Sequence, residues 1–368
     1  MVERTGSLEM LVGAIPAGAW RGRRVLLTGH TGFKGAWLAL WLHQLGAEVT
    51  GLALAPPTDP SLFERAGVTE LLTHIEGDIR DLDTVSAAMR AARPDVVFHL
   101  AAQPLVRLSY EQPVETYATN VMGTVHVLEA ARQVGGVRAM VCVTTDKCYD
   151  NREWVWPYRE SDPMGGYDPY SSSKGAAELV IAAYRRSFMA EAGIGLASVR
   201  AGNVIGGGDW AADRLIPDLI RAFEAGEAPA IRSPQAVRPW QHVLEALGGY
   251  LLIAERLLAG EAAFADAWNF GPADDDARPV SWIVDQVRAA WGGDAAAPAP
   301  WTGTTPHEAG LLKLDTSKAR SMLGWRPALA LDEALRWIVE WHRRTAAGDD
   351  ARDVTLRQVE AYRTKAAL

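Results

Sequence analysis

Tyr170 and Lys174 stand four residues apart, one helical turn, so a phenol and an ammonium would share one helix face. A phenol is too weak an acid to act as a base near neutral pH unless its anion is stabilised, and a neighbouring cation does that. The same spacing also suits an ordinary surface helix. Chemistry is favoured by Thr144-Thr145-Asp146-Lys147, which ends the apolar run Met140–Thr144. In open α/β sheets, ligands bind beyond that carboxyl end of a strand. A hydroxyl, a carboxyl and two amines around one phenol form a set suited to moving protons around a redox step.

A second cluster, Thr28-Gly29-His30-Thr31-Gly32-Phe33-Lys34-Gly35, lies where a first strand turns into a first helix. Glycines there permit a tight turn and close backbone approach to a pyrophosphate, and the helix start offers free N–H groups to it. The spacing, Gly-x-x-Gly-x-x-Gly, is one residue longer than the usual dinucleotide fingerprint. An acid roughly 20 residues on would hold the ribose diol of NAD. The stretch Gly51 to Pro57 has no acid before Asp59, and no base that would meet a 2′-phosphate, so NAD is expected over NADP. Asp78, after a third strand, is expected near the adenine amino group. Ala101-Ala102-Gln103 leave room after a fourth.

Elements that position these clusters alternate along the chain. Val25–Leu27, Val49–Leu54, Val96–Leu100, Met140–Thr144 and Leu196–Arg200 read as strands. Gly35–Leu45, Leu82–Ala92, Val114–Val134 and Tyr170–Ala190 carry apolar residues at helical spacing. Repeated β-α-β units predict a Rossmann-type α/β fold, a doubly wound parallel sheet with helices on both faces. Past Arg200 the rhythm breaks. Residues 202–239 and 271–313 are loop-rich, with a helix over His242–Leu258, a short strand at Trp268–Phe270 and a late helix near Leu331–Arg344. The expected division is a loose extension over 1–20, a dinucleotide-binding domain of 21–201 plus 240–270, and a smaller, discontinuous lobe of 202–239 plus 271–368.

The 368 residues can bury a large core, and 48% apolar with 22% charged content is that of a globular protein. A net charge of −8 argues against non-specific nucleic-acid binding, which needs a basic face. No run reaches the length of a membrane span, and the N-terminal stretch lacks a basic start, so a cytoplasmic protein is expected. Cys142 and Cys148 read as core residues, and no Cys/His cluster has metal-ligand spacing. Fourteen Trp, several in polar loops, suggest a site with aromatic walls. In the long loop 148–169, Arg152, Trp154 and Trp156 either cover a base and a phosphate or pack against the second lobe.

Together these blocks resemble the extended short-chain dehydrogenase/reductase superfamily, and within it the sugar-nucleotide 4,6-dehydratases of the branch acting on CDP-glucose. The resemblance runs from about Arg23 to about Arg344. It rests on residues 28–35, on Ala-Ala-Gln-Pro-Leu-Val-Arg-Leu-Ser-Tyr at 101–110, and on Thr-Asp-Lys-Cys-Tyr-Asp-Asn-Arg-Glu-Trp-Val-Trp at 145–156. Gly-Gly-Tyr-Asp-Pro-Tyr at 165–170, Arg-Ala-Gly-Asn-Val-Ile-Gly-Gly-Gly-Asp-Trp at 200–210 and Arg-Pro-Trp-Gln-His-Val at 238–243 extend it. It implies that Tyr170, aided by Lys174 and Thr145, takes the sugar 4-OH proton, while Asp146 protonates the departing 6-OH. Many related dehydratases carry Glu where Lys147 stands, so Lys147 is implied either as the C5 base or as a stabiliser of the enolate. Cofactor contacts are implied at Gly29, His30, Gly32, Phe33, Lys34, Gly35, Asp78, Ile79, Ala101, Ala102, Gln103, Asn120, Thr144, Tyr170 and Lys174. Substrate contacts are implied at Arg107, Asn203, Arg214, Arg238 and His307, with CDP-glucose as substrate. A homodimer or homotetramer through Val114–Val134 and Tyr170–Ala190 is implied as well. A dehydratase or epimerase for another nucleotide sugar, or a non-catalytic dinucleotide-binding regulator, are the competing expectations. The intact Thr145, Asp146, Tyr170 and Lys174 speak against a regulator.

Overall fold

Between Arg24 and Phe270 most apolar runs lack polar alternation, as strands covered on both faces require. The computed structural model, which describes residues 18–293, 295–303 and 310–368, arranges seven such strands in one parallel sheet. They are β1 (Arg24–Thr28), β2 (Glu48–Ala53), β3 (Thr73–Glu76), β4 (Val96–His99), β5 (Ala139–Val143), β6 (Gly195–Ala201) and β7 (Ala267–Phe270). Their spatial order is β7-β6-β5-β4-β1-β2-β3, with every pairing parallel. The order reverses between β1 and β4, which makes that junction the switch point where ligands bind.

Among the described residues the longer helices are α1 (Phe33–Gln44), α2 (Leu82–Ala92), α3 (Gly123–Val134), α4 (Pro169–Tyr184), α5 (Leu215–Glu224), α6 (Val243–Leu258), α7 (Val280–Trp291), α8 (Leu331–Ala346) and α9 (Ala351–Ala366). One face of the sheet is covered through α1, α6 and α9. The other is covered through α2, α3 and α4. A third core joins α5, α7 and α8 to Trp240 and Ile205. Beside it Asn203–Ile205 pairs with Val237–His242, and Ala277–Pro279 closes a three-stranded sheet.

Several elements depart from the sequence expectations. The stretch 202–239 contains α5, where Ile216, Leu219, Ile220 and Phe223 face the third core. Pro217 obscures its periodicity but lies in the first turn, where proline costs no hydrogen bond. α7 falls in the stretch expected to be loop-rich, and α9, polar on average, shows little apolar pattern yet packs Val354, Val359 and Tyr362 beside α1. A π turn at Ala118–Met122 interrupts the run expected over Val114–Val134, and another at Arg185–Met189 ends the α4 run. Residues 1–17 lie outside the described residues. Trp20, expected in a loose extension, is instead buried and donates Nε1–H to Glu255 Oε1 at 2.6 Å. Trp37, Trp41, Trp268 and Trp341 are likewise core side chains, so much of the tryptophan content serves packing rather than site walls.

Glu245, in the first turn of α6, ties α6 to α9. Its carboxylate accepts from the N–H groups of Ala328 and Leu329 at 2.8 and 2.7 Å and from Tyr362 OH at 2.9 Å. Burial pushes this carboxyl up to about 7. A folded-state pKa above the unfolded value means that the native chain binds the proton more tightly. The stability it contributes is therefore complete below about pH 4.3 and is lost as pH rises through 7. The calorimetric unfolding midpoint is expected to fall from about pH 5 to about pH 8, and Glu245→Gln to flatten part of that fall.

Candidate active site

The turn after β1 brings backbone against backbone at the switch point. Gly29 has φ +77°, and a Cβ there would meet Ala101 N, beyond β4, at 2.6 Å. A Cβ on Gly35 would lie 2.1 Å from Gly29 O, so α1 starts against the turn only because residue 35 lacks one. Gly32 differs. Its φ is −79°, and an added Cβ would meet only Gly29 O at 3.5 Å. The protein's own packing does not demand glycine at 32, so its bare backbone faces outward, as a close-approaching pyrophosphate requires. No side chain caps this helix start and no acid lies in its first turn. The cradle therefore fits a dinucleotide.

Beneath it, Thr28, His99 and Thr124 lash β1, β4 and α3 together. Thr124 Oγ1–H goes to Asn120 O at 2.7 Å, so His99 donates from Nε2 and accepts Thr28 Oγ1–H on Nδ1 at 2.8 Å. Burial and the Lys174 charge lower His99 to about 3, which keeps the ring neutral. His30 is buried with Nε2 2.7 Å from His74 Nδ1, so only its backbone faces the cradle. Thr31 Oγ1 donates to Leu54 O at 2.9 Å. Beyond β2, Asp59 lines a crevice together with Glu64, an acid the sequence gave no reason to single out.

Some expected cofactor contacts are committed elsewhere. Asn120 Oδ1 accepts Gln103 N–H at 2.8 Å, and its amide donates to Gln103 O and to Ser173 Oγ at 3.1 and 2.9 Å. With both donors spent, Asn120 joins the loop after β4 to α4 rather than reaching a ligand. The Gln103 amide is bonded to Leu105 and Thr116. The Ile79 side chain packs in the core beneath Gly123. The Asp78 carboxylate is bound by Arg80, whose guanidinium lies 2.6 Å away.

Beyond β5 the proposed proton carriers converge. The Thr145 hydroxyl donates to Asp146 Oδ1 at 3.0 Å and lies near enough to Tyr170 to act on its phenol. Asp146 Oδ2 is buried with no partner. Burial raises the Asp146 carboxyl, against the opposing pull of Lys147, the Thr145 bond and Arg238. A raised carboxyl is a weaker acid and is better suited to act as a proton donor. Tyr170 is pushed up to about 12 by burial, with the Thr145 bond pulling it back. Lys174, whose Nζ donates to Val143 O at 3.4 Å, is lowered to about 8 by burial, with the Glu178 charge opposing. Lys34, at the mouth of the cradle and 5.8 Å above the Tyr250 ring, is lowered to about 7 by burial and by the charges of Arg214 and Lys174. The Tyr250 hydroxyl, buried near Tyr170, has no partner and was not foreseen, because residue 250 reads as one more member of the apolar stripe of α6.

Of the expected substrate residues, Arg214, Arg238 and Asn203 lie on the facing lobe, while Arg107 sits on the short helix Val106–Glu111 after β4. Arg214 bonds Asp209 at 3.1 Å, and its charge acts on Tyr170 and Lys34. Arg238, on the strand Val237–His242, donates to Gly310 O at 3.1 Å and acts on Asp146. Asn203 is opposite Trp240 in the small sheet. Arg107 is paired with Asp213 at 2.8 Å. His307 lies outside the described residues. In the loop after Asp146, Tyr149 stacks on Tyr158 and Tyr158 on Trp154, with centroids 5.1 and 5.4 Å apart, so Trp154 belongs to an internal aromatic ladder while Trp156 stays exposed. Cys142 and Cys148 are free and buried, their thiols pushed up by burial. Among the described residues no His, Cys, Asp or Glu group could hold a metal ion, and no helix is long and apolar enough to cross a membrane.

The family model for GDP-mannose 4,6 dehydratase matches residues 26–338. Over 351 residues the chain is 56% identical to CDP-glucose 4,6-dehydratase of Salmonella typhimurium, covering 93% of this chain and 97% of that protein. It is 30% identical over 346 residues to UDP-glucose 4-epimerase of Streptomyces lividans, covering 89% and 99%. Among solved structures, dTDP-glucose 4,6-dehydratase from Streptomyces venezuelae with NAD bound superposes with a TM-score of 0.75 at 25% identity, over 88% of this chain and 98% of that one.

Proposed function

The chain belongs to the GDP-mannose 4,6 dehydratase family, and from that premise we propose that it converts CDP-glucose to CDP-4-keto-6-deoxyglucose and water. NAD, when bound, supplies the acceptor for the C4 hydride and the donor that returns it to C6. Gly29, Gly32 and Gly35 with the start of α1 would hold its pyrophosphate, and Asp59 and Glu64 line the crevice suited to its ribose.

Tyr170 takes the proton of the sugar 4-OH, with Thr145 sharing that hydrogen bond and Lys174 stabilising the phenolate. The C4 ketone so formed acidifies the C5 hydrogen, and Lys147, beside Asp146, either takes that proton as the free amine or, as an ammonium, stabilises the enolate left by its loss. Asp146 gives its proton to the departing 6-OH. Arg238 and Arg214, from the facing lobe, suit the diphosphate. The observation that carries this assignment is Asp146 itself. A buried carboxyl with a raised pKa beside Thr145 has work to do in expelling water and none in a simple epimerisation at C4.

The cytoplasm is the proposed compartment, and exposed Met122, next to α3, with Leu179 on α4 and Phe188 just after it, suits a homodimer or homotetramer formed through these helices. Incubation with CDP-glucose followed by mass spectrometry is expected to show loss of one water. Loss from dTDP- or GDP-glucose but not from CDP-glucose would overturn the nucleotide assignment.

A further inference from the structure

Glu178 and Arg200 form a bidentate ion pair inside the protein, each side chain 4% exposed. Arg200 donates Nε–H and an Nη–H to the carboxylate at 2.9 and 2.8 Å. Burying two charges costs several kcal/mol per ion, and an apolar pair of similar volume often serves stability as well or better. Stability alone is therefore a weak reason for such a pair, and its remaining bonds point to another.

Glu178 lies one turn beyond Lys174 and two beyond Tyr170 on α4. Its carboxylate also accepts Thr144 Oγ1–H at 2.5 Å and Ser198 Oγ–H at 2.8 Å. Arg200, on β6, donates its other Nη–H groups to Tyr149 OH at 2.7 Å and Glu160 O at 3.1 Å. Tyr149 passes its own proton to Asn269 Oδ1 on β7 at 2.7 Å. Thr144 and Tyr149 bracket Thr145, Asp146 and Lys147, so one ion pair grips that segment at both ends and ties it to the helix bearing Tyr170 and Lys174. We propose that the Glu178–Arg200 pair, through Thr144 and Tyr149, is a clamp that positions the proton-transferring segment against Tyr170. Misplacement of reacting groups by about 1 Å costs about 10²-fold in rate, so removing either grip is expensive in turnover.

The two grips differ in what they hold. Thr144 precedes Thr145, which acts on Tyr170, whereas Tyr149 follows Asp146 and Lys147. Glu178 also acts on Lys174 together with Cys142 on β5 and Cys148, while Lys34 on α1 and His99 on β4 feel the Lys174 charge. Of these groups Glu178 is the one that carries negative charge at neutral pH, so it keeps Lys174 charged.

The clamp rests on the dehydratase assignment above. Thr144→Val, Tyr149→Phe and Glu178→Gln are to be compared with the native enzyme, all full-length and loaded with cofactor. For the first two, kcat is expected to fall about 10- to 100-fold with KM for CDP-glucose within about twofold. Tyr149→Phe is expected to build up the near-ultraviolet absorbance of reduced nicotinamide after mixing with CDP-glucose, because oxidation outruns water loss; Thr144→Val is not. Glu178→Gln is expected to move the alkaline limb of the pH profile to lower pH. Should Glu178→Gln not fold, the two single-hydroxyl variants still decide. A lower unfolding temperature with unchanged kcat and no absorbance in those variants would overturn the clamp. A native enzyme that releases no water from CDP-glucose would instead overturn the assigned reaction.

Discussion

Tyr170→Phe is expected to lower turnover of CDP-glucose by about 10³-fold while leaving its KM near the native value. The substitution removes one oxygen and keeps the ring, so the buried position is still filled. What is lost is the phenol proposed as proton acceptor for the 4-OH, on which Thr145 acts. General acid–base catalysis contributes about 10² to 10⁴ in rate, and the whole of it at the oxidation step passes through this phenol. Because oxidation precedes elimination, neither water loss nor reduced cofactor should be seen. Steady-state assay of the keto product is the measurement, and turnover within about tenfold of native would contradict the assignment.

Asp146→Asn is expected to separate the two halves of the reaction. Burial raises the Asp146 carboxyl, which favours its proton-bearing form, and an amide has no such proton to supply. Oxidation at C4 through Tyr170 should continue, while water loss falls by about 10² to 10⁴. Mixing with CDP-glucose should therefore leave reduced cofactor and an unreleased 4-keto sugar, seen by rapid absorbance and mass spectrometry. The charge of the carboxyl also sets a direction with pH. Its donating form is the protonated one, so the native elimination step should slow as pH rises through its raised value, and the variant should lack that limb. Unimpaired water loss would show that another group protonates the leaving hydroxyl.

The glycine turn, the strand end at Thr144 and the Tyr170/Lys174 helix were legible because each depends on local chemistry. A turn needs glycine, a buried strand needs an apolar run, and one helical turn sets the phenol–ammonium spacing. Roles that depend on long-range partners were not legible. Asn120 looked like a cofactor contact, but Gln103 and Ser173, far away in sequence, consume its amide. Glu178, Arg200 and Tyr149 come from three elements and meet only in the fold. The tryptophans misled for the same reason, since flanking polarity does not reveal that Trp20 or Trp341 inserts between helices and sheet. α5 and α7 were hidden by proline, charge and short apolar spacing in segments that reach their core only against α8.

One hydride leaves C4 and returns, within the same turnover, to C6. CDP-glucose carrying deuterium at C4 tests it most directly, with the product read by nuclear magnetic resonance and mass spectrometry. Tyr170, Asp146 and Lys147 in the roles assigned here require the label at C6 of the 4-keto-6-deoxy sugar, with a solvent hydrogen at C5. A product without the label, or label remaining at C4, would contradict the account.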